Sequence, residues 1–229
     1  MFRNASRIID DWISPICTNV PEDYTGKMIK KKNKPYSMSF STGALFQQQS
    51  VMFAELYADL GDWQFVRAKV LESNLLQART KNTAQRVCRE VISRLKRLTP
   101  DQLLTLADSS SRDQGHILWA AVCKRYRFIH DFAVEVVHEK FIGMDLLLTR
   151  ADYDVFFNQK AEWHDEMEQL RESTRNKLRQ IVFKMLREAE LLSIKNMIIP
   201  IILSSIVQKN IQDDTDLTLA IFPIVDREA

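Results

Sequence analysis

The sequence predicts a mainly α-helical, multi-helix protein, on three observations. Turn residues are scarce: 5 Gly and 6 Pro in 229 residues, fewer than all-β sandwiches or Gly-rich nucleotide-binding folds want. Apolar residues recur at three- and four-residue spacing along most of the chain. Ser, Thr, Asp or Asn stands ahead of several of those segments, where a helix start needs a side-chain acceptor. With 45% hydrophobic and 27% charged residues, the chain suits a folded rather than a disordered protein.

The elements follow in order. Residues 5–14 suit a short helix. Residues 15–40 carry three prolines and the run Lys27, Lys30, Lys31, Lys32 and Lys34, and read as a loop or extended arm. Ser41 and Thr42 can cap a helix to about Leu60, in which Leu45, Phe46, Met52, Phe53, Leu56 and Tyr57 recur, and Gly61 stops it. Asp62 can cap the next, with Phe65, Val66, Val70, Leu71 and Leu75 as its stripe. Asn82 or Thr83 can cap a helix to about Leu98. Its stripe is Val87, Val91, Leu95 and Leu98, widened by Cys88 and Ile92. Arg86, Arg89, Lys96 and Arg97 project to the opposite side, with Arg94 at the border.

Pro100 opens a short helix through Leu106. Residues 112–142 are apolar enough for two helices or one bent helix, and Asp152 can cap another to about Lys160. Ser173 can cap a helix to about Glu190, built on Leu178, Ile181, Val182, Met185, Leu186 and Ala189. Asn176, Lys177, Gln180, Lys184 and Arg187 face away from that stripe, and Arg179 sits at its edge. Residues 191–199 suit a strand or a short β wing, a helix runs from about Pro200 to Asn210, and a last one lies near 215–222. The organisation expected is an N-terminal helix and basic arm (1–40), a helical region with a basic helix at 83–98 (41–150), and a second, winged-helix-like region (151–229).

Composition excludes several function classes. Cys17, Cys88 and Cys123 are odd in number and far apart, as in a reducing compartment without a disulfide framework. Charges interrupt the first apolar stretch, so no secretory leader is expected. Residues 196–207 are too short to span a bilayer. The expected location is cytoplasmic, with no membrane partner. No phosphate-binding glycine loop, CxxC or HExxH is present, so no cofactor, metal site or small-molecule substrate is expected. His116, His130, His138 and His164 are scattered, and His130-Asp131, His138-Glu139 and His164-Asp165 are neighbours whose side chains diverge on a helix. Trp12, Trp63, Trp119 and Trp163 sit beside aliphatic residues and are read as core. No catalytic residue is assigned, and no enzyme is expected.

The net charge is only +2, but it is segregated. Residues 79–97 hold seven cations against Glu90, and residues 171–187 hold six against Glu172. A near-neutral chain can present a basic face in this way, although solvated helix faces have the same pattern. One echo links the two segments. Thr83-Ala-Gln-Arg86-Val87 stands beside Thr174-Arg-Asn-Lys177-Leu178, and Val91-Ile92 and Leu95-Lys96 stand beside Val182-Phe183 and Leu186-Arg187 at the same offset. Each copy follows another candidate helix, at about 62–76 and 160–170. A helix followed by a Thr-capped basic helix is the outline of a helix-turn-helix.

Several ordered stretches resemble one family. These are Asp62-Trp63, Val66, Val70, Glu72-Ser-Asn74-Leu75-Leu76, Arg79-Thr80, Arg89-Glu90 and Arg94-Leu95. Asp131-Phe132, Glu135-Val136-Val137, Leu148-Thr149 and Ser173-Thr174 through Glu188-Ala189 continue the set. Together they resemble the BrxA family of BREX phage-exclusion systems over about residues 40–209. The resemblance implies a mainly helical fold similar to the NusB-like antitermination fold. It also implies a non-catalytic component, association with double-stranded DNA, and other BREX subunits as partners. It supplies no functional residues.

The site expected from the helix faces is therefore Arg86, Arg89, Lys96, Arg97, Lys177, Lys184 and Arg187 on DNA phosphates, with Arg175, Asn176 and Gln180 near a helix start. Alternatives are a protein–protein adaptor within the BREX complex and an RNA-binding protein.

Overall fold

A computed structural model describes residues 35–225. All of them lie in one compact unit that begins at Lys32. The helix expected at 5–14, the lysine run, Trp12, Cys17 and most of the 1–40 region fall outside the described residues.

The described residues are mainly helical, in the order α1 (Gln47–Leu60), α2 (Trp63–Glu72), α3 (Lys81–Leu95), α4 (Pro100–Asp108), α5 (Ser111–Arg125) and α6 (Arg127–Phe132). A π-helical turn, Ala133–His138, joins α6 to α7 (Glu139–Ile142). Then come α8 (Arg150–Ala161), α9 (Asp165–Glu168), α10 (Glu172–Glu188), α11 (Ser205–Gln212) and a 3₁₀ turn at Leu219–Ile221. The mainly α class is as the sequence predicts. No helix among the described residues is long and apolar enough to cross a membrane.

The core is organised around α5. Every residue from Gly115 to Cys123 is buried, His116 among them, and a helix buried on all sides belongs at the centre. It packs against α1, α3, α4, α6, α10 and α11. The 41–150 and 151–229 regions therefore meet through α5 with α10 and through α4 with α11. Gly115 has a packing reason: a Cβ there would stand 3.5 Å from the Glu188 carbonyl and 3.7 Å from the Ala189 Cα.

Polar side chains tie the C-terminal chain to α5. Trp119 Nε1 donates to the Ile221 carbonyl at 2.9 Å. Lys124 pairs with Asp214 at 2.5 Å, with both side chains nearly buried, and Gln102 donates to the same carboxylate at 3.0 Å. Burial pushes the Asp214 pKa up, but the Lys124 and Gln102 hydrogen bonds outweigh it and hold the group below the ordinary value. His116 is fully buried with its ring edge-on to Phe222, 5.8 Å between centroids. Neither ring nitrogen has a hydrogen-bond partner among the described residues. Cys88 and Cys123 are buried, and burial raises both thiol pKa values.

Several starts and stops differ from the sequence reading. Ser41 and Thr42 do not cap α1. Phe46 is its N-cap, in the left-handed region at φ 58° with no side-chain cap bond. The 43–46 loop is pulled inward instead. Leu45 is buried with its N–H on Glu188 at 2.6 Å, and the Ala44 carbonyl accepts from Arg94 at 2.6 Å. Gly43, at φ 91°, is where the Phe46 ring folds back: a Cβ would meet that ring at 2.1 Å.

Gly61 stops α1 at φ 67°, and Asp62 caps α2 by accepting from the Gln64 N–H at 2.5 Å, both as expected. In α2 only Val66 and Val70 are buried; Phe65 is exposed and Leu75 lies beyond the helix. Thr80, not Asn82 or Thr83, caps α3. Thr149 caps α8 in a box with Asp152, which lies three residues in. Ser173 is inside α10, whose N-cap is Arg171. The chain at Pro200 is extended, with the Ile201 N–H on the Pro223 carbonyl at 2.9 Å, and α11 starts five residues later under Ser204. Trp119 is core, but Trp163 is exposed.

Candidate nucleic-acid interface

The α3 helix is amphipathic, and its capping explains its register. The Thr80 hydroxyl accepts from the Thr83 N–H at 3.2 Å. From there Ala84, Cys88, Val91, Ile92 and Leu95 fall on one buried side, at the spacing of a helical stripe. Arg86, Arg89, Lys96 and Arg97 are all exposed, as the wheel predicts. None has a carboxylate at ion-pair distance among the described residues. Lys96 and Arg97 follow the last helical residue, where cations also favour the negative end of the helix dipole.

Arg94 is a correction. The wheel puts it at the border, yet only 2% of it is exposed. Its Nε donates to Glu90 at 2.9 Å and its Nη1 to the Ala44 carbonyl at 2.6 Å. The guanidinium lies 5.6 Å from the Phe46 ring centroid. Tyr126 donates to the same Glu90 oxygen at 2.6 Å. Burial, followed by that Glu90 hydrogen bond, pushes the Tyr126 phenol up to about 12. The one acid of the 79–97 segment is thus consumed inside the protein, and the outer face keeps its charge uncompensated.

Structure adds Arg67, which the helix-face argument missed. It projects from α2 beside Arg89 and Lys96, and the three line a groove floored by Leu71 and Ile92. The available signal was that cations begin at Arg67 and Lys69 rather than at Arg79.

The α10 cations are differently placed. Arg175 donates to Asn158 and lies over the Phe157 ring at 4.3 Å. Asn176 accepts from Arg179 at 2.8 Å, and Arg179 reaches Asp154 at 2.6 Å. Lys184 is 3.7 Å from Glu188. Arg187 donates to Asn196 at 2.6 Å and sits 6.0 Å from the Phe183 ring. Lys177 and Gln180 are exposed. Both basic helices reach the 43–46 loop at their C-terminal ends, α3 through Arg94 on Ala44 and α10 through Glu188 on Leu45.

The helix-turn-helix outline is not reproduced at either copy. Eight residues separate α2 from α3, against the three or four of that motif, and α9, ahead of α10, is a single turn. The expected wing is reduced to isolated bridges: Leu192 pairs with Ile198, and Leu147 with Met197. The described residues hold no group of His, Cys, Asp and Glu arranged for a metal ion.

Comparison with known proteins gives a consistent outcome. The family model described as BrxA matches residues 34–215. A BREX protein BrxA of Bacillus cereus (strain H3081.97) is 27% identical over 124 residues, 54% of this chain and 62% of that protein. A BREX protein BrxA of Escherichia coli O9:H4 (strain HS) is 26% identical over 159 residues, 69% of this chain and 75% of that one. The match thus spans less than two thirds of the Bacillus relative's length. Among solved structures, an uncharacterized protein from Magnetospirillum magneticum superposes with a TM-score of 0.69 at 22% identity, covering 79% of this chain and 93% of that one. That likeness concerns the fold alone.

Proposed function

Because the chain belongs to the BrxA family, we propose that it serves BREX phage defence as a non-catalytic component that binds double-stranded DNA. One observation carries the DNA reading. Arg86, Arg89, Lys96 and Arg97 stand exposed together on and just after α3, with no carboxylate partner among the described residues. Uncompensated cations at such spacing attract a polyanion, and each phosphate they neutralise releases counterions. The face offers many cations and no clear base-reading code. Binding is therefore directed to the backbone and largely indifferent to sequence.

A gel-shift titration with a random-sequence duplex at low and moderate salt tests this. Affinity falls steeply as salt rises. The Arg86→Glu, Arg89→Glu double variant stays folded, because both side chains face solvent, and binds about tenfold or more weakly. Equal binding by that folded variant removes the assignment. Competition with duplex RNA separates the RNA alternative, since A-form grooves differ in shape and expose 2′-hydroxyls.

A further inference from the structure

The α2–α3 groove has a feature that a duplex does not use. Two adjoining cavities, about 520 and 340 Å³, share Arg67, Ile92 and Lys96. Their walls combine the cations Arg67, Arg89 and Lys96 with an apolar floor of Trp63, Leu71 and Ile92. Trp63 is held in place by stacking on Tyr57, 4.1 Å between centroids and 15° between planes. No carboxylate pairs with Arg67, Arg89 or Lys96 among the described residues. DNA phosphates answer the rim but leave the floor without an apolar partner. Base faces are stacked inside the duplex, and the backbone is ionic.

We infer that this groove takes an acidic amphipathic helix of a protein partner, with aliphatic side chains on Leu71 and Ile92 and carboxylates facing Arg67, Arg89 and Lys96. The commitment to this occupant rests on charge complementarity. Three unpaired cations around an apolar trough match a segment that carries acids on both sides of a hydrophobic row, as in helix-in-groove recognition. A volume of this size holds a few aliphatic side chains, so the row is short and the flanking charges set orientation and encounter rate. Arg89 and Lys96 also belong to the face proposed for DNA. It follows, on the strength of that reading, that helix and duplex exclude each other.

The experiment uses the full chain and a fluorescein-labelled peptide of leucines and glutamates at amphipathic helical spacing, read by fluorescence anisotropy. Its control replaces each leucine by alanine at the same charge. The floor-dependent peptide binds about tenfold or more tightly than its control. Ala68→Arg retains the three cations and adds a fourth while blocking the trough at an exposed helical position, so a lost acidic peptide cannot be put down to lost charge, and Gln64→Arg does the same beside it. Both variants lose about tenfold in peptide binding and keep duplex binding. An unlabelled duplex displaces the peptide from the unaltered protein. Equal binding of peptide and control, no binding of the peptide, or its full retention by both variants overturns the inference. Failure of the duplex to bind or to compete, with the peptide still lost in Ala68→Arg, overturns the DNA reading and leaves the groove assigned.

Discussion

The two basic helices look alike in sequence and behave differently in the fold. The one acid on α3, Glu90, turns inward to Arg94 and Tyr126, and Arg86, Arg89, Lys96 and Arg97 face solvent without partners among the described residues. On α10 the cations are mostly engaged. Arg175 lies over Phe157, Arg179 reaches Asp154, Lys184 stands near Glu188, and Arg187 holds Asn196. A cation already given an acceptor gains less from a phosphate, because it exchanges one partner for another. The lesson is that a basic stretch becomes a candidate polyanion site through where its neighbours spend their carboxylates, rather than through its own charge count.

The largest effect expected tests the inside of α3. Arg94→Ala leaves Glu90 mostly buried without its counter-charge and lowers stability by about 3 kcal/mol in denaturant unfolding. Arg175→Ala, on the more exposed α10, costs less than about 1 kcal/mol. Similar losses in the two variants would erase the distinction between them.

Next comes the outer face. The Arg86→Glu, Arg89→Glu protein loses about tenfold or more in duplex affinity with its circular dichroism unchanged, whereas Arg187→Gln changes affinity less than about threefold. A single Arg86→Gln lowers the slope of log affinity against log salt by about one, and Arg187→Gln leaves the slope as it was. A larger loss from α10 than from α3 would invert the comparison.

A smaller effect concerns α5, on which both helices pack. Burial depresses the His116 pKa in the folded state, an effect the nearby Asp113 only partly offsets. Below about pH 6.5 the unfolded chain therefore takes up a proton that the folded chain refuses. The stability contributed by the neutral ring is full above that pH. It declines as pH falls from there toward the folded pKa, by at most about 1.4 kcal/mol per pH unit. His116→Phe flattens this slope in a melting series from pH 7.5 to 5. An unchanged slope would show that another group governs the window.

Much of the fold is legible along the chain. Gly61 and Asp62 mark a helix stop and start, Pro100 opens α4, and the apolar run over 112–142 predicts the helices that fill it. Each is local: a φ value, a capping oxygen, or a period of 3.6 acting within a few residues. The start of α1 is not local. Ser41 and Thr42 are good caps by type, but the register of α1 is set by burying Leu45 and bonding Ala44 to Arg94, contacts 50 and more residues away in sequence.

The candidate site divides in the same way. Alternation around α3 places Arg86, Arg89, Lys96 and Arg97 outward from the sequence alone, because a helical stripe buried on one side must expose the other. The family is equally legible, in the ordered set of residues that runs across most of the chain. Only the tertiary structure decided that Arg94 turns inward, that Arg67 joins Arg89 and Lys96 across a groove, and that α10 spends its cations on Asn158, Asp154, Glu188 and Asn196. A helical wheel reports which way a side chain points. Whether a carboxylate, a ring or open solvent waits there depends on which distant segment packs alongside.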